Sequence, residues 1–357
     1  MARALGVTRV ARLTGLDRTG VEVASAVRPR GHVLQVTNGK GETAEAAALG
    51  ALLEAAELAG AENATQSAWG CAAELAAGGD DVLGPRALDP AGGEDGWDEV
   101  RLAWRRGRDL ATGAPVLVPA HAVHVPPPGG AWLGPALLRW TSNGMGAAPA
   151  PAAALLHALL EAIERDRVAR ALPDGFTDRE LARRLLDPRT LARAAPRSAA
   201  LAARLERAGL RAYLLDLSSR ELGLPAAAAL LLDAEGSAVP VAAGYACRTT
   251  RDGALHAALL EAAQSRATEI HGAREDVAVS DRAAAEPLRA LLERARGRRI
   301  AAALPTVPAV GAAAAVREVV RRLGRAGLRA VAVPLAAPPG ISVVRAIVPG
   351  LLLSELL

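Results

Sequence analysis

Two Glu-x-x-Glu pairs, Glu54/Glu57 and Glu161/Glu164, are the residues of this chain with the clearest capacity for chemistry. Each lies in an Ala/Leu frame of helical period, where positions i and i+3 share a face, so each helix presents two carboxylates together. Like charges so placed repel, by about a few tenths of a kcal/mol on an exposed face, unless a cation sits between them. Four carboxylates from two helices are hard oxygen ligands suited to Mg²⁺, which keeps waters and takes phosphate oxygens as its other ligands. On spacing alone, each pair fits a solvated helix face at least as well.

The frame occurs three times: 51–57 read ALLEAAE, 158–164 ALLEAIE and 258–264 ALLEAAQ. The copies are too far apart for a solenoid, whose repeats are short. In the third, Gln264 replaces the second Glu, and Arg266 and Arg274 follow. Gln and Arg can read a base edge or a phosphate without adding negative charge beside a metal. A polar, Gly-bearing segment precedes each of the first two copies: TNGKG (Thr37 to Gly41) and TSNGMG (Thr141 to Gly146). Both read as loops feeding a helix N-terminus, where free N–H groups and the helix dipole favour phosphate, although neither fits the Walker pattern. Asn143 lies in the second. Lys40, in the first, is the only lysine of a chain that uses Arg everywhere else, which suggests a site needing a compact ammonium rather than a planar fork.

Other chemistries find less support. There is no G-x-S-x-G and no H-E-x-x-H. His121 and His124 lack an obvious third metal ligand, and Cys71 and Cys247 are far apart without a C-x-x-C, so neither a zinc site nor a disulfide is expected.

The elements that must carry these residues are mixed. Strand-like runs occur at 5–12, 20–27, 32–37, 100–104, 115–118, 210–217, 226–233, 238–246, 328–334 and 341–348. Helical patterns cover 43–62, with Thr43 as N-cap, then 151–172, 177–186, 197–208, 253–271, 284–296 and 312–326. The class is therefore α/β or α+β. With 357 residues, 51% apolar and 22% charged, the chain can bury one large core or two modest ones. We expect one domain over 1–357, with two lobes at 1–125 and 126–357. The net charge is only +4, the arginines are dispersed among acids, and aromatics are 2%, which argues against a dedicated nucleic-acid binder. No apolar run is long enough to span a bilayer and no secretory h-region opens the chain, so the expected location is the cytoplasm.

Six ordered segments resemble the YcaO family. They are GVTRVARLTGLDRTGVEVASAVRP (Gly6 to Pro29); TNGKG with Glu54 and Glu57; WRRGRDLATGAPVLVP (Trp104 to Pro119); SNGMG with HALLEAIERD (Ser142 to Asp166); EAAQSR with GARED (Glu261 to Asp276); and SVVRAIVPGL (Ser342 to Leu351). The resemblance implies a YcaO-like fold and an enzyme that uses ATP and Mg²⁺ to phosphorylate a backbone amide oxygen in a ribosomally made peptide or protein. A side-chain nucleophile then gives an azoline, and exogenous sulfide a thioamide. It further implies Glu54, Glu57, Glu161 and Glu164 as metal ligands, with Lys40, Asn143, Arg165, Gln264, Arg266 and Arg274 around the nucleotide, and it suggests a homodimer.

The chain departs from the family pattern in three places. Ala148-Pro149 and Ala152-Ala153-Ala154 stand where the family has an amide and carboxylates, which implies a weaker nucleotide site. Arg248 and Ala246 stand where a His and a Gly are frequent. The tail IVPGLLLSELL lacks a PxPxP ending, which points to a thioamide-forming type assisted by a TfuA-like partner. The alternative is a non-catalytic scaffold, or an accessory factor such as one for ribosomal-protein methylthiolation.

Overall fold

The structure is a computed structural model that describes residues 1–89, 96–277 and 282–353. Part of the Gly/Asp-rich stretch before Trp97 and the last residues of the tail therefore lie outside the described residues. Along the chain run β1 (Arg9–Arg12), β2 (Glu22–Val27), β3 (Val36–Gly41), α1 (Ala44–Glu62), β4 (Ala68–Gly70), α2 (Ala72–Ala77), α3 (Pro85–Leu88), β5 (Leu102–Asp109), β6 (Pro115–Pro119) and β7 (Met145–Ala148). Then come α4 (Pro151–Ala171), α5 (Asp178–Arg184), α6 (Leu191–Ala194), α7 (Pro196–Arg207), β8 (Leu210–Asp216), β9 (Ala226–Asp233), β10 (Val241–Cys247), α8 (Arg251–His271), α9 (Arg282–Arg294), α10 (Ala312–Arg325), β11 (Val331–Leu335) and β12 (Ser342–Ile347). The mixed class expected from the sequence is what the chain adopts.

The strands form three sheets, ordered β1-β2-β3, β10-β9-β8 and β4-β5-β11-β12-β7, with β6 also on β5. Each sheet ends on a strand that leads straight into a long helix: β3 into α1, β7 into α4, β10 into α8. Those three helices carry the three ALLEA frames. Thr43 caps α1, its hydroxyl accepting from the Ala46 N–H, and Thr250 caps α8 through the Gly253 N–H, while α4 begins at Pro151 in the N1 position that tolerates a missing N–H. Each helix lies directly on its own strand because the contact point is glycine. A Cβ on Gly39 would stand 2.1 Å from the Ala47 carbonyl oxygen, on Gly146 2.2 Å from that of Ala154, and on Gly244 2.2 Å from the Ala262 nitrogen.

The three units also lean on one another in a ring. α1 packs on β7, α4 on β10, and α8 on β3, so the three frames face a common centre. Around them the cores are dense in Ala and Leu: Ala51, Ala55, Ala158, Leu159, Ala258, Leu259 and Ala262 are fully buried. Small residues let helix and sheet backbones approach, and this positions the carboxylates that follow.

Two expectations change here. TNGKG and the last two residues of TSNGMG, Met145 and Gly146, are not loops but lie in the strands β3 and β7. Their glycines serve close strand–helix packing rather than a phosphate cradle, and the connections into the helices are the short turns at Glu42-Thr43 and Pro149-Ala150. Among the described residues no helix is long and apolar enough to cross a membrane.

Candidate functional site

Backbone N–H groups of the edge strands aim at the helical carboxylates. Asn38 donates to Glu54 Oε2 at 2.7 Å, Cys247 to Glu164 Oε2 at 3.0 Å and Tyr245 to Glu261 Oε1 at 3.4 Å, while the Ala147 N–H supports Glu57. Cations come from every unit. Lys40 Nζ, on β3, reaches across to Glu261 Oε2 at 2.7 Å; Arg165 lies 3.7 Å from Glu161; Arg274 lies 3.5 Å from Glu54. Arg345, on β12, donates to the Thr141 carbonyl at 2.8 Å and is held within electrostatic reach of Glu161. Five carboxylates thus gather in one recess that keeps some solvent access: the side chains of Glu54, Glu161 and Glu261 retain 29%, 17% and 25% of their exposure.

The electrostatics of the recess are unbalanced toward negative charge. Burial, then the neighbouring Glu161 and Glu54, push the Glu57 carboxyl well above its ordinary range. Burial raises Glu161 to about 7 against the pull of Arg165 and Arg345, and burial with the nearby Glu261 raises Glu164. Glu54 is raised by burial, opposed by Arg274 and the Asn38 N–H. Glu261 is the exception: burial would raise it, but Lys40 and Arg165 outweigh that and hold it ionised. Burial lowers the Arg345 guanidinium to about 10. Carboxylates that lean toward protonation in isolation are groups awaiting a cation.

The donor set is all oxygen, which suits Mg²⁺ rather than zinc or copper. Among the described residues no three acidic, His or Cys side chains come close enough to hold one ion between them. This fits a metal that takes one or two carboxylates from each helix and completes its shell with water and phosphate oxygens. Polar atoms left without partners in the same region, Asn143 Oδ1, Asn38 Oδ1, Arg165 Nε and Arg345 Nε, supply both acceptors and donors to a polar ligand. A separate cavity of 220 Å³ lined by Asp166, Arg167, Arg170 and Gly350 contains none of these carboxylates.

Of the residues expected at the site, the two Glu pairs, Lys40, Arg165 and Arg274 converge. Gln264 follows Glu261 by one turn on α8, and Asn143 precedes β7 in a turn closed by Gly144 at φ +75°. Arg266 does not belong with them. Its guanidinium is buried against Asp17 and Asp233, 3.0 Å from each, and donates to the Val239 carbonyl, tying the segment after β1 to the β9–β10 hairpin. Four of its five N–H groups are spent inside the fold, so this cation serves structure rather than phosphate. Two participants were missed: Glu261, hidden because the third frame drew attention to its Gln, and Arg345, a lone Arg in an apolar strand. His124 Nδ1–H donates to the Ala61 carbonyl at 3.2 Å, which fixes the ring against α1.

Mixed sheets with three long helices directing buried carboxylates and cations to one centre define a protein built to hold a charged metal–ligand complex. The chain belongs to the YcaO family: the family described as YcaO cyclodehydratase, ATP- and Mg²⁺-binding, matches residues 38–352. It is 33% identical to a protein in the tfuA 3′ region of Rhizobium leguminosarum bv. trifolii, over 98% of this chain and 84% of that one. It resembles the structure of YcaO from Methanopyrus kandleri bound with AMPPCP and Mg²⁺, with TM-score 0.73 and 26% identity over 98% of this chain and 87% of that chain. A heterocyclase in complex with substrate and cofactor shares the fold, with TM-score 0.71 and 20% identity; the match covers 97% of this chain and half (50%) of the heterocyclase.

Proposed function

We propose that this chain binds Mg²⁺ and ATP in the recess between α1, α4 and α8 and activates backbone amides of a peptide or protein by O-phosphorylation. The observation that carries this is the convergence of five carboxylates, four of them raised toward protonation, with Lys40, Arg165 and Arg274. Glu54, Glu57, Glu161 and Glu164 hold the metals; Lys40, Asn143, Arg165, Gln264 and Arg274 surround the nucleotide. When bound, ATP supplies the phosphoryl group and Mg²⁺ neutralises its charge. The protein's own part is positioning and charge balance, which is what phosphoryl transfer chiefly requires. Glu261 keeps Lys40 extended across the recess, and Arg345 offsets Glu161 from behind.

The product we favour is a thioamide, made with a TfuA-like partner; the support is the relative in the tfuA 3′ region. Azoline formation from a Cys, Ser or Thr side chain is the alternative outcome of the same activation. Mass spectrometry of a treated peptide separates them, as one exchanges oxygen for sulfur and the other loses water. Glu161→Ala and Glu164→Ala should abolish peptide-dependent ATP turnover in a folded protein, and unchanged turnover in both removes the metal assignment.

A second reading, a scaffold without chemistry, draws on the start of α4. Pro149 is exposed, and Ala150, at the N-cap, offers no side-chain cap. Calorimetric titration with ATP and Mg²⁺ decides between them, since a scaffold gives no binding heat at millimolar nucleotide.

A further inference from the structure

The residue preceding each ALLEA frame differs among the three units: Gly50 in α1, His157 in α4, Ala257 in α8. In α1 the position is tight, a Cβ on Gly50 lying 3.3 Å from the Gly39 Cα. In α4 the same position carries an exposed imidazole, one turn ahead of Glu161 and on its face of the helix. Charged groups of all three units lie within electrostatic range of it: Lys40 on β3, Arg248 just past β10, and Glu261 on α8. Among the described residues none hydrogen-bonds its ring, whereas His124 is tied to Ala61 and His256 lies against Glu42. It is an uncommitted proton acceptor at the rim of a recess whose other groups are carboxylates needed for cations and bases that stay protonated.

We propose that His157 is the general base for the nucleophile that attacks the activated amide, and that an anionic nucleotide beside Lys40 and Arg248 switches it on. This rests on the function proposed above. His157 takes the proton of an incoming thiol, hydroxyl or hydrogen sulfide as its sulfur or oxygen bonds to the activated carbon. The C–O bond to phosphate then breaks and phosphate leaves with the electron pair. The remaining N–H proton (azoline) or S–H proton (thioamide) passes to solvent as the C=N or C=S bond completes, and His157 returns its proton to water.

The ring's outer edge is open to solvent, but protein crowded around the rest of it, then Arg248 and Lys40, hold the free imidazole well below the usual histidine range, with Glu261 opposing. That keeps it neutral but weakly basic. Negative charge placed among those cations raises it toward the working pH, where a general base is most effective. Base strength thus follows nucleotide occupancy, which protects against proton abstraction before the amide is activated.

The test is an NMR titration of the full chain with labelled histidine, feasible because it has only 6 histidines, with His157→Gln identifying the resonance. Binding of AMPPCP with Mg²⁺ is followed in parallel by calorimetry. His157 should titrate low in the free chain and move toward neutrality with AMPPCP and Mg²⁺. With a pool of short synthetic Gly-Cys peptides, with and without sodium sulfide, His157→Gln should lower kcat for ADP release about a hundredfold, leave KM for ATP unchanged, and erase the acid limb of the pH–rate profile. Binding heat with an unmoved His157, or full kcat in His157→Gln, overturns the role of His157 alone. Absence of binding heat overturns the nucleotide site and the switch together.

Discussion

Glu161→Gln should make the metal-free protein more stable while removing its response to nucleotide. In the folded chain Glu161 is raised to about 7 from its ordinary value of 4.5, chiefly by burial. The sign follows from linkage. Between those two values the folded state holds a proton that the unfolded chain releases, so stability is full below the lower value and falls as pH rises through the upper one. At pH 7 the loss is about 3 kcal/mol, and solvent access to a side chain that retains 17% exposure reduces it to about 2 kcal/mol. Gln keeps the shape and cannot ionise, so this loss disappears. With Mg²⁺ and ATP the wild type should gain about 2.7 kcal/mol at a hundredfold excess over Kd, and the variant little or none. Urea unfolding by tryptophan fluorescence, at pH 5 and pH 7 with and without Mg²⁺ and ATP, reads all of these terms. A variant less stable than wild type at pH 7, or one that keeps the nucleotide gain, refutes the view that the carboxylates are assembled for a cation at the expense of the empty fold.

Other perturbations separate fold from site. Arg266→Ala should cost about 3 kcal/mol, because it strands the buried Asp17 carboxylate and leaves Asp233 with Arg18 as its one arginine partner among the described residues, as measured by chemical denaturation. Gly146→Ala puts a methyl 2.2 Å from the Ala154 carbonyl oxygen and 2.8 Å from the Ala158 nitrogen, and should lower stability by about 1 to 3 kcal/mol and weaken nucleotide binding by displacing α4 from β7. Lys40→Arg keeps the charge but replaces the ammonium that reaches Glu261 with a larger planar fork, so nucleotide affinity should fall with little change in melting temperature. Buried His124, lowered to about 4 mainly by loss of hydration, makes the fold lose about 3 kcal/mol as pH drops from 6.5 toward 4; His124→Gln should flatten that part of the stability profile.

The helices were legible because Ala, Leu and Glu repeat at helical period and Thr43 marks a start, and α1 and α4 fall within a residue or two of expectation. β3 and β7 were not. Gly39 and Gly146 look like turn residues locally, and only the helix pressed on each explains a glycine inside a strand. The two Glu pairs stand out by spacing and repetition, but spacing fits a solvated face equally well, and only the packing of α1 on β7 and α4 on β10 brings them together. Arg266 could not be placed from the sequence, because its partners Asp17 and Asp233 lie far away in sequence, and nothing near it distinguishes a buried ion pair from a phosphate ligand. Glu261 was within reach: it occupies the position of Glu54 and Glu161 in the third frame, and the repeat alone would have placed it with them.

The most direct test of the carboxylate recess is calorimetric titration of the full chain with ATP in the presence of Mg²⁺, repeated after chelation and with Glu57→Gln. Saturable binding in the wild type, lost on chelation and sharply weakened in Glu57→Gln, is the predicted result. No binding heat at millimolar nucleotide, or binding indifferent to both Mg²⁺ and Glu57, would contradict a metal–nucleotide site between the three helices.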